Sequence, residues 1–131
     1  MHIIALDHIV LEVADVERSV AFYSLLGLEP ERLDAYRRHE VKFPSMRVSS
    51  DTVIDLFPPP MHAASDARGS DLNHFALVSD LPIDAIRERL EACSIEIEEE
   101  ADNNYGARGL ARSLYVRDPD GNRVEIRSYV G

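Results

Sequence analysis

The alternation of hydrophobic and polar residues predicts a strand, a helix and three further strands, and this order occurs twice. In the first half, residues 3–13 (IIALDHIVLEV) are rich in β-branched and aliphatic side chains, which is typical of a strand. Residues 15–27 then have apolar side chains at helical spacing, with Asp15 as N-cap and Gly27 at the C-terminal end. Three shorter strands are predicted at residues 31–38, 41–48 and 52–57.

The second half repeats this order. Residues 72–79 predict a strand, and residues 81–93 (LPIDAIRERLEAC) predict a helix with Pro82 in its first turn. The sequence DPDGN at residues 118–122 suits a turn, because proline presets φ and glycine tolerates a positive φ. Three strands are predicted around it, at residues 95–99, 111–117 and 123–129.

The repeated order predicts an α+β fold made of two paired βαβββ units. Neither half is large enough to bury its sheet and helix alone, so one domain over residues 1–131 is expected. The first unit covers residues 1–57 and the second covers residues 72–131. Residues 58–71 begin with three prolines, which have no N–H for a strand ladder, and predict a linker.

Composition and charge predict a cytoplasmic protein that binds neither nucleic acid nor membrane. The formal net charge of −10 gives the long-range field the wrong sign for both partners. No apolar run is long enough to span a bilayer, and no signal peptide is predicted. Cys93 is the single cysteine, so no intrachain disulfide forms, and its place on the apolar stripe of the second helix predicts a core residue.

Charged residues are unevenly distributed in the second half. Acidic side chains dominate residues 96–102, and a solvated surface is the expected role of such a run. Five arginines follow, at Arg108, Arg112, Arg117, Arg123 and Arg127. This cluster raises the hypothesis of a pocket for a small anionic substrate.

The strand phases place two histidines and two carboxylates in matching positions of the two halves. His8 lies in the middle of LDHIV and His74 in the middle of LNHFA. Asp55 in VIDLF takes the slot that Glu125 takes in RVEIR. Two imidazoles and one or two carboxylates suit Mn, Fe, Ni or Zn and leave coordination positions open, so one divalent metal ion per site is predicted.

Each of these residues also has a structural explanation. A single histidine on an apolar strand face is more often a hydrogen-bonded core residue than a ligand. Glu125 between two arginines is also typical of a solvent-facing strand. The repetition favours the metal site, because chance does not readily place matching polar residues in matching slots.

Four stretches together cover nearly the whole chain: LDHIVLEVADVERSVAFYSLLGL, VIDLF, LNHFALVSD and GARGLARSLYVRDPDGNRVEIRSY. They resemble the vicinal oxygen chelate superfamily, which contains glyoxalase I, extradiol dioxygenases, fosfomycin-resistance proteins and bleomycin-resistance proteins. The ending is most similar to small single-chain glyoxalase-like members. The resemblance implies paired βαβββ units in a U-shaped, partly open eight-stranded mixed sheet around a metal, and a homodimer.

The resemblance also implies which residues bind the metal. The ligand positions of the family fall on His8, His74 and Glu125, and the fourth position of glyoxalase I–type members falls on Asp55. Glutamate or glutamine is more usual in that slot, and aspartate is one methylene shorter, so Asp55 stays an open alternative. The implied chemistry is chelation of a small substrate through vicinal oxygens, with stabilisation of the charge that develops on them.

Four further residues are candidate contacts for the substrate. Ser113 and Tyr115 share a strand face, in an SLY segment that resembles substrate-lining positions of the fosfomycin-resistance branch. Tyr115 is also a candidate catalytic residue, together with Glu125. Arg127 and Arg47 complete the set. The structural alternatives are core packing for Tyr115 and a solvated surface position for Arg127.

These observations favour a metal-dependent enzyme. A glyoxalase-like lyase or isomerase is favoured over an extradiol-type dioxygenase or a fosfomycin-resistance-like transferase, because the dioxygenases use additional histidine and tyrosine groups in longer chains. A hypothesis of another class is a metal-free binding protein like the bleomycin-resistance branch. That branch generally lacks the ligand set, whereas all three family positions carry good ligands here.

Overall fold

The structure is a computed structural model that describes residues 1–2, 4–61 and 72–130. Within those ranges, no helix has the length and apolar composition that a membrane crossing requires. Most of the predicted linker at residues 58–71 lies outside the described residues, apart from a short 3₁₀ helix at Pro59–Met61.

The chain divides into two compact units, Met1–Arg68 and Gly69–Gly131. The elements of the first unit are β1 (His8–Glu12), α1 (Val16–Leu25), β2 (Glu29–Glu31), α2 (Leu33–Arg37), β3 (Ser45–Arg47) and β4 (Val53–Phe57). Those of the second unit are β5 (Phe75–Ser79), α3 (Ile83–Ala92), β6 (Glu99–Gly106), β7 (Gly109–Arg117) and β8 (Arg123–Ser128). The predicted α+β class and the two βαβββ units are confirmed, while a single domain over residues 1–131 stays a prediction.

The eight strands form two four-stranded mixed sheets with the same strand order. The first sheet is ordered β1-β4-β3-β2 and the second β5-β8-β7-β6. The parallel neighbours are β1 and β4 in the first sheet and β5 and β8 in the second, and all other neighbouring strands are antiparallel. His8 begins β1, which lies beside the β4 strand of Asp55. His74 directly precedes β5, which lies beside the β8 strand of Glu125.

Each long helix packs on its own sheet and buries the predicted apolar stripe. In the first unit, α1 buries Val16, Val20 and Tyr23 against the sheet. In the second unit, α3 packs on β7, and the buried residues include Ile83, Ile86, Leu90, Leu114 and Val116. Each fully buried aliphatic side chain contributes about 1.5–3 kcal/mol, so these stripes fix which face of each sheet is covered. Cys93 is only half-buried, at the edge of the second core.

The predicted strand at residues 31–38 is wrong. β2 ends at Glu31, and the next residues form α2 (Leu33–Arg37). The segment LDAYRR contains good helix formers and no β-branched residue, so local propensity favours the helix. The Arg37 guanidinium also donates to the carboxylate of Glu17 in α1, with an Nε–Oε1 distance of 2.7 Å, which ties the two helices together.

Several other predicted strands have different limits; for example, residues 3–13 form a strand only at His8–Glu12, and residues 72–79 only at Phe75–Ser79. The strand expected at residues 41–48 shortens to Ser45–Arg47, because Pro44 precedes it and has no N–H to donate. The strand expected at residues 95–99 begins only at Glu99, and continues as β6 to Gly106.

Candidate metal centre

His74 and Glu125 come together in the second unit because β5 and β8 are parallel neighbours. Ala76 of β5 is in register with Glu125 of β8, and His74 lies two residues before Ala76, on the same face. The Nε2 atom of His74 is 3.1 Å from Oε2 of Glu125. Two residues that are distant in the sequence therefore form a direct imidazole–carboxylate pair.

Two side chains from the same sheet hold the other oxygen of Glu125. The Ser113 hydroxyl donates to Oε1 at 2.5 Å, and Nη1 of Arg127 donates to Oε1 at 2.8 Å. Burial by itself raises the pKa of Glu125, but these two hydrogen bonds, the charge of Arg127 and the nearby His74 outweigh it and hold the pKa below its ordinary value. The Glu125 side chain is only 4% exposed, so the alternative of a solvent-facing glutamate is wrong.

Tyr115 lies directly opposite Glu125 in the β7–β8 ladder. Its ring meets the His74 ring edge-on, with centroids 5.7 Å apart. The Tyr115 hydroxyl accepts a hydrogen bond of 2.6 Å from Nδ2 of Asn104. Burial, followed by the charge of Glu125, raises the pKa of Tyr115, so the phenol keeps its proton at neutral pH.

The first unit repeats this arrangement with longer distances. Val10 of β1 is in register with Asp55 of β4, and His8 lies two residues before Val10. The Nε2 atom of His8 is 3.9 Å from Oδ2 of Asp55, compared with 3.1 Å for the pair in the second unit. The Ser45 hydroxyl donates to Oδ1 of Asp55 at 2.6 Å, so this carboxylate is also anchored by a serine. The shorter aspartate accounts for part of the larger gap.

The side chain that precedes each histidine forms a hydrogen bond with Nδ1 of the imidazole. Nδ1 of His8 is 2.7 Å from Oδ2 of Asp7, and Nδ1 of His74 is 2.7 Å from Oδ1 of Asn73. Both oxygens can accept from Nδ1, and in that tautomer Nε2 of the neutral ring is available to bind a cation. The hydrogen bond to Asp7 is the main reason why the pKa of His8 lies above its ordinary value.

A divalent metal fits the geometry of the second unit. His74 Nε2 and Oε2 of ionised Glu125 lie 3.1 Å apart, so a proton bridges them when no metal is bound, and a cation can take the place of that proton. Ligand atoms lie about 2.0–2.2 Å from Zn²⁺, so two ligand atoms at the tetrahedral angle are roughly 3.3–3.6 Å apart, close to this distance. Within residues 1–2, 4–61 and 72–130, no group of three or more His, Cys, Asp or Glu side chains forms, so each unit provides two candidate ligands.

The two arginines that are expected to contact a substrate are each bonded to a carboxylate of this chain. Arg127 is only 5% exposed and bonds to Glu125, so the alternative of a solvated surface position is wrong. Arg47 is half-buried and makes two hydrogen bonds, of 2.8 and 2.9 Å, to the carboxylate of Glu31. The role of both residues in substrate binding stays a prediction.

The remaining arginines of the second unit mostly neutralise the acidic run. Arg112 bonds to Glu100 and Asp102, and Arg117 makes two hydrogen bonds to Glu98. Three of the five predicted arginines are therefore paired with the acidic run, the third being Arg123 with Glu99, and Arg127 is paired with Glu125. The acidic run is an ion-paired surface, which leaves less positive charge for a small anion.

Several residues of the centre were not singled out from the sequence. Asp7, Asn73 and Ser45 contact the candidate ligands directly, and Asn104 contacts Tyr115. The signal for the first two is local, because LDH and LNH place a side-chain acceptor before each histidine. Ser45 and Asn104 have no such signal, since only strand pairing brings them to the site.

Known proteins are similar to this chain over most of its length. A family model described as Glyoxalase/Bleomycin resistance protein/Dioxygenase superfamily matches residues 5–126. Virulence protein STM3117 of Salmonella typhimurium is 31% identical over 127 residues, which cover 95% of this chain and 84% of that protein. Glyoxalase domain-containing protein RDO1 of Mycosarcoma maydis is 30% identical over 125 residues, which cover 95% and 68% of the two proteins.

Solved structures share the fold. The crystal structure of STM3117 superposes with a TM-score of 0.79 at 27% identity, covering 99% of this chain and 100% of the other. Lactoylglutathione lyase from Agrobacterium tumefaciens gives a TM-score of 0.67 at 24% identity, covering 95% and 93%. At that level of identity the second match indicates the fold alone.

Proposed function

Because this chain belongs to the Glyoxalase/Bleomycin resistance protein/Dioxygenase superfamily, we propose that it is a divalent-metal-dependent enzyme. The proposed substrate is a small molecule with vicinal oxygens, and the proposed reaction is that of a glyoxalase-like lyase or isomerase. The proposed ligands are His8, His74 and Glu125, with Asp55 as an alternative fourth ligand. The metal is one of Mn, Fe, Ni or Zn.

One observation carries the proposal: His74 Nε2 and an oxygen of Glu125 lie 3.1 Å apart. Oδ1 of Asn73 lies 2.7 Å from Nδ1 of His74, so Nε2 can bind a cation when the ring proton lies on Nδ1. Imidazole and carboxylate in this arrangement attract a cation. The same residue types recur at His8 and Asp55, which is expected if both units contribute ligands.

A bound divalent ion would supply Lewis acidity toward charge that develops on the substrate oxygens. The protein side chains bind the ion and donate hydrogen bonds to the substrate. Glu125 stays ionised at neutral pH because its pKa is lowered. Tyr115 stays protonated because burial raises its pKa, and its contact with the His74 ring places the phenol beside the centre, so we propose it as a hydrogen-bond donor to the substrate. Ser113 acts on Glu125 rather than on the substrate.

The test is the metal content of the purified protein by elemental mass spectrometry, followed by titration with Mn²⁺, Fe²⁺, Ni²⁺ and Zn²⁺. We expect close to one ion per chain in the wild type and loss of the ion in His74→Ala and Glu125→Ala. His39→Ala is the matched control, because His39 is an exposed histidine outside the centre. Metal affinity should fall as the pH drops through the raised pKa of His8, because a protonated imidazole cannot bind a metal ion.

Activity screening then separates the reactions. Turnover of dicarbonyls supports the lyase or isomerase, whereas cleavage of catechols or opening of epoxides supports the dioxygenase or transferase alternative. A wild-type protein that binds none of the four ions contradicts the proposed function and favours a metal-free binding protein.

A further inference from the structure

The Arg127 guanidinium links Glu125 to the backbone of the β6–β7 hairpin. Nη1 donates to Oε1 of Glu125 at 2.8 Å and to the carbonyl of Tyr105 at 3.3 Å. Nη2 donates to the carbonyls of Asn104 and Gly109 at 2.9 and 3.3 Å. One buried cation therefore bonds to the candidate ligand and to three carbonyls on both strands of one hairpin.

The local shape of the hairpin allows these contacts. The β6–β7 ladder shifts register between Ala101 and Asn104, and such a bulge re-aims the backbone groups that follow it. Gly106 lies against the guanidinium. A Cβ at that position would overlap the guanidinium carbon of Arg127 and lie 2.8 Å from the hydroxyl of Tyr129. The hairpin and the guanidinium are thus packed without space for a methyl group.

The two carboxylate oxygens of Glu125 have different hydrogen-bond partners. Oε1 accepts from Ser113 and Arg127. Oε2 faces His74. Since Arg127 is held by the hairpin, the orientation of the carboxylate depends on the conformation of residues 104–109.

We propose that Arg127 is a positioning residue that couples the β6–β7 hairpin to Glu125 and reserves Oε2 for a metal ion. The inference rests on the proposed metal centre and adds to it a residue that touches neither metal nor substrate. Groups that hold a ligand in this way change metal affinity by about 10–100-fold when they are removed.

The experiment compares Mn²⁺ affinity by isothermal titration calorimetry in wild type, Arg127→Met, Arg127→Lys and Gly106→Ala. We expect binding about 10–100-fold weaker in Arg127→Met, and a smaller loss in Arg127→Lys, because lysine donates to Glu125 without the planar fork that also reaches the carbonyls. Gly106→Ala should also weaken binding, although it removes no polar group. Arg112→Met is the matched control, since Arg112 is an exposed arginine of β7 paired with Glu100 and Asp102.

Amide hydrogen exchange over residues 104–109 gives a second readout that needs no metal. Exchange should be about tenfold faster or more in Arg127→Met and unchanged in Arg112→Met, with circular dichroism confirming that both variants are folded. Wild-type affinity or unchanged exchange in Arg127→Met overturns the inference. If the wild type binds no metal, the proposed function fails, and the exchange result still decides whether Arg127 holds the hairpin.

Discussion

The side chain that precedes each candidate histidine determines how the imidazole is held. His8 bonds to the carboxylate of Asp7, and His74 bonds to the amide of Asn73, both at 2.7 Å. A carboxylate stabilises the imidazolium more than an amide does, which explains why the pKa of His8 is raised. The two units thus differ at this position, where the first has the charged Asp7 and the second the neutral Asn73.

Asp7→Asn should lower the pKa of His8, because the charged acceptor becomes a neutral one. The pKa is measured in metal-free protein from the chemical shift of the His8 ring proton during an NMR titration. His39 in the same spectra is the internal control. An unchanged His8 pKa in Asp7→Asn would show that Asp7 does not hold the ring in solution.

Glu98 is a residue whose ionisation should support the folded state. Two hydrogen bonds from Arg117, with the charge of Arg123, hold the pKa of Glu98 below its ordinary value. The unfolded chain therefore binds more protons than the folded one at mildly acidic pH. The stabilisation is present above the unfolded pKa of about 4.3 and is lost as the pH falls through the lower folded pKa.

We therefore expect Glu98→Gln to lower the melting temperature at pH 6 but to have a smaller effect at pH 3, because protonation of Glu98 removes the charge that Arg117 stabilises. Calorimetric melting curves at several pH values measure this difference. Glu88→Gln, at an exposed position of α3, is the comparison variant. An equal effect of Glu98→Gln at both pH values would contradict the prediction.

The ends of the two long helices show how much of each element follows from local sequence. Asp15 caps α1 through a hydrogen bond of 3.1 Å from the Arg18 N–H, and Gly27 ends the helix region with φ of +96°. α3 has the same kind of ending, but Ser94 takes the left-handed conformation with φ of 58°. Serine in that conformation is strained, whereas glycine is not.

Ser94→Gly should stabilise the protein by about 0.5–1 kcal/mol, because glycine removes the strain at positive φ. Gly27→Ala, the reciprocal change, should destabilise it by about 1 kcal/mol or more. Urea unfolding of both variants measures the difference in the free energy of unfolding. Destabilisation by Ser94→Gly would mean that the serine side chain contributes more than the strain costs.

The α2 segment shows where element prediction failed. The sequence predicts a strand at residues 31–38, whereas the structure has α2 there. Helix propensity and the contact between Arg37 and Glu17 decide for a helix instead. Glu17 lies 20 positions before Arg37, so a prediction from neighbouring residues cannot include this contact.

At the scale of the whole molecule, apolar residues remain exposed on the strands at the sheet edges. Val10 of β1 is 41% exposed and Val78 of β5 is 48% exposed, and each strand ends the order of its sheet. Exposed edge strands are usually covered by another chain or element. The homodimer implied by the family resemblance is consistent with these surfaces and stays a prediction.

Sedimentation velocity should give twice the mass of one chain. Val10→Lys should weaken the dimer by about tenfold or more, which corresponds to ~1.4 kcal/mol, because a charge replaces an apolar contact at the edge. Leu110→Lys is the control, since Leu110 is an exposed apolar residue of β7 in the hairpin. A monomeric wild type, or equal weakening by both variants, would contradict the prediction.

The sequence by itself determined the repeated order of elements, the ends of the long helices and the histidines and carboxylates that share strand positions. These features follow from periodicity, caps and turn residues, which act within a few positions along the chain. Only the tertiary structure decided that Glu125 and Arg127 are buried, that Ser113 and Arg127 hold one oxygen of Glu125, and that the other oxygen faces His74. Those contacts depend on strand register and on the β6–β7 bulge, which are set by pairing between segments far apart in the sequence.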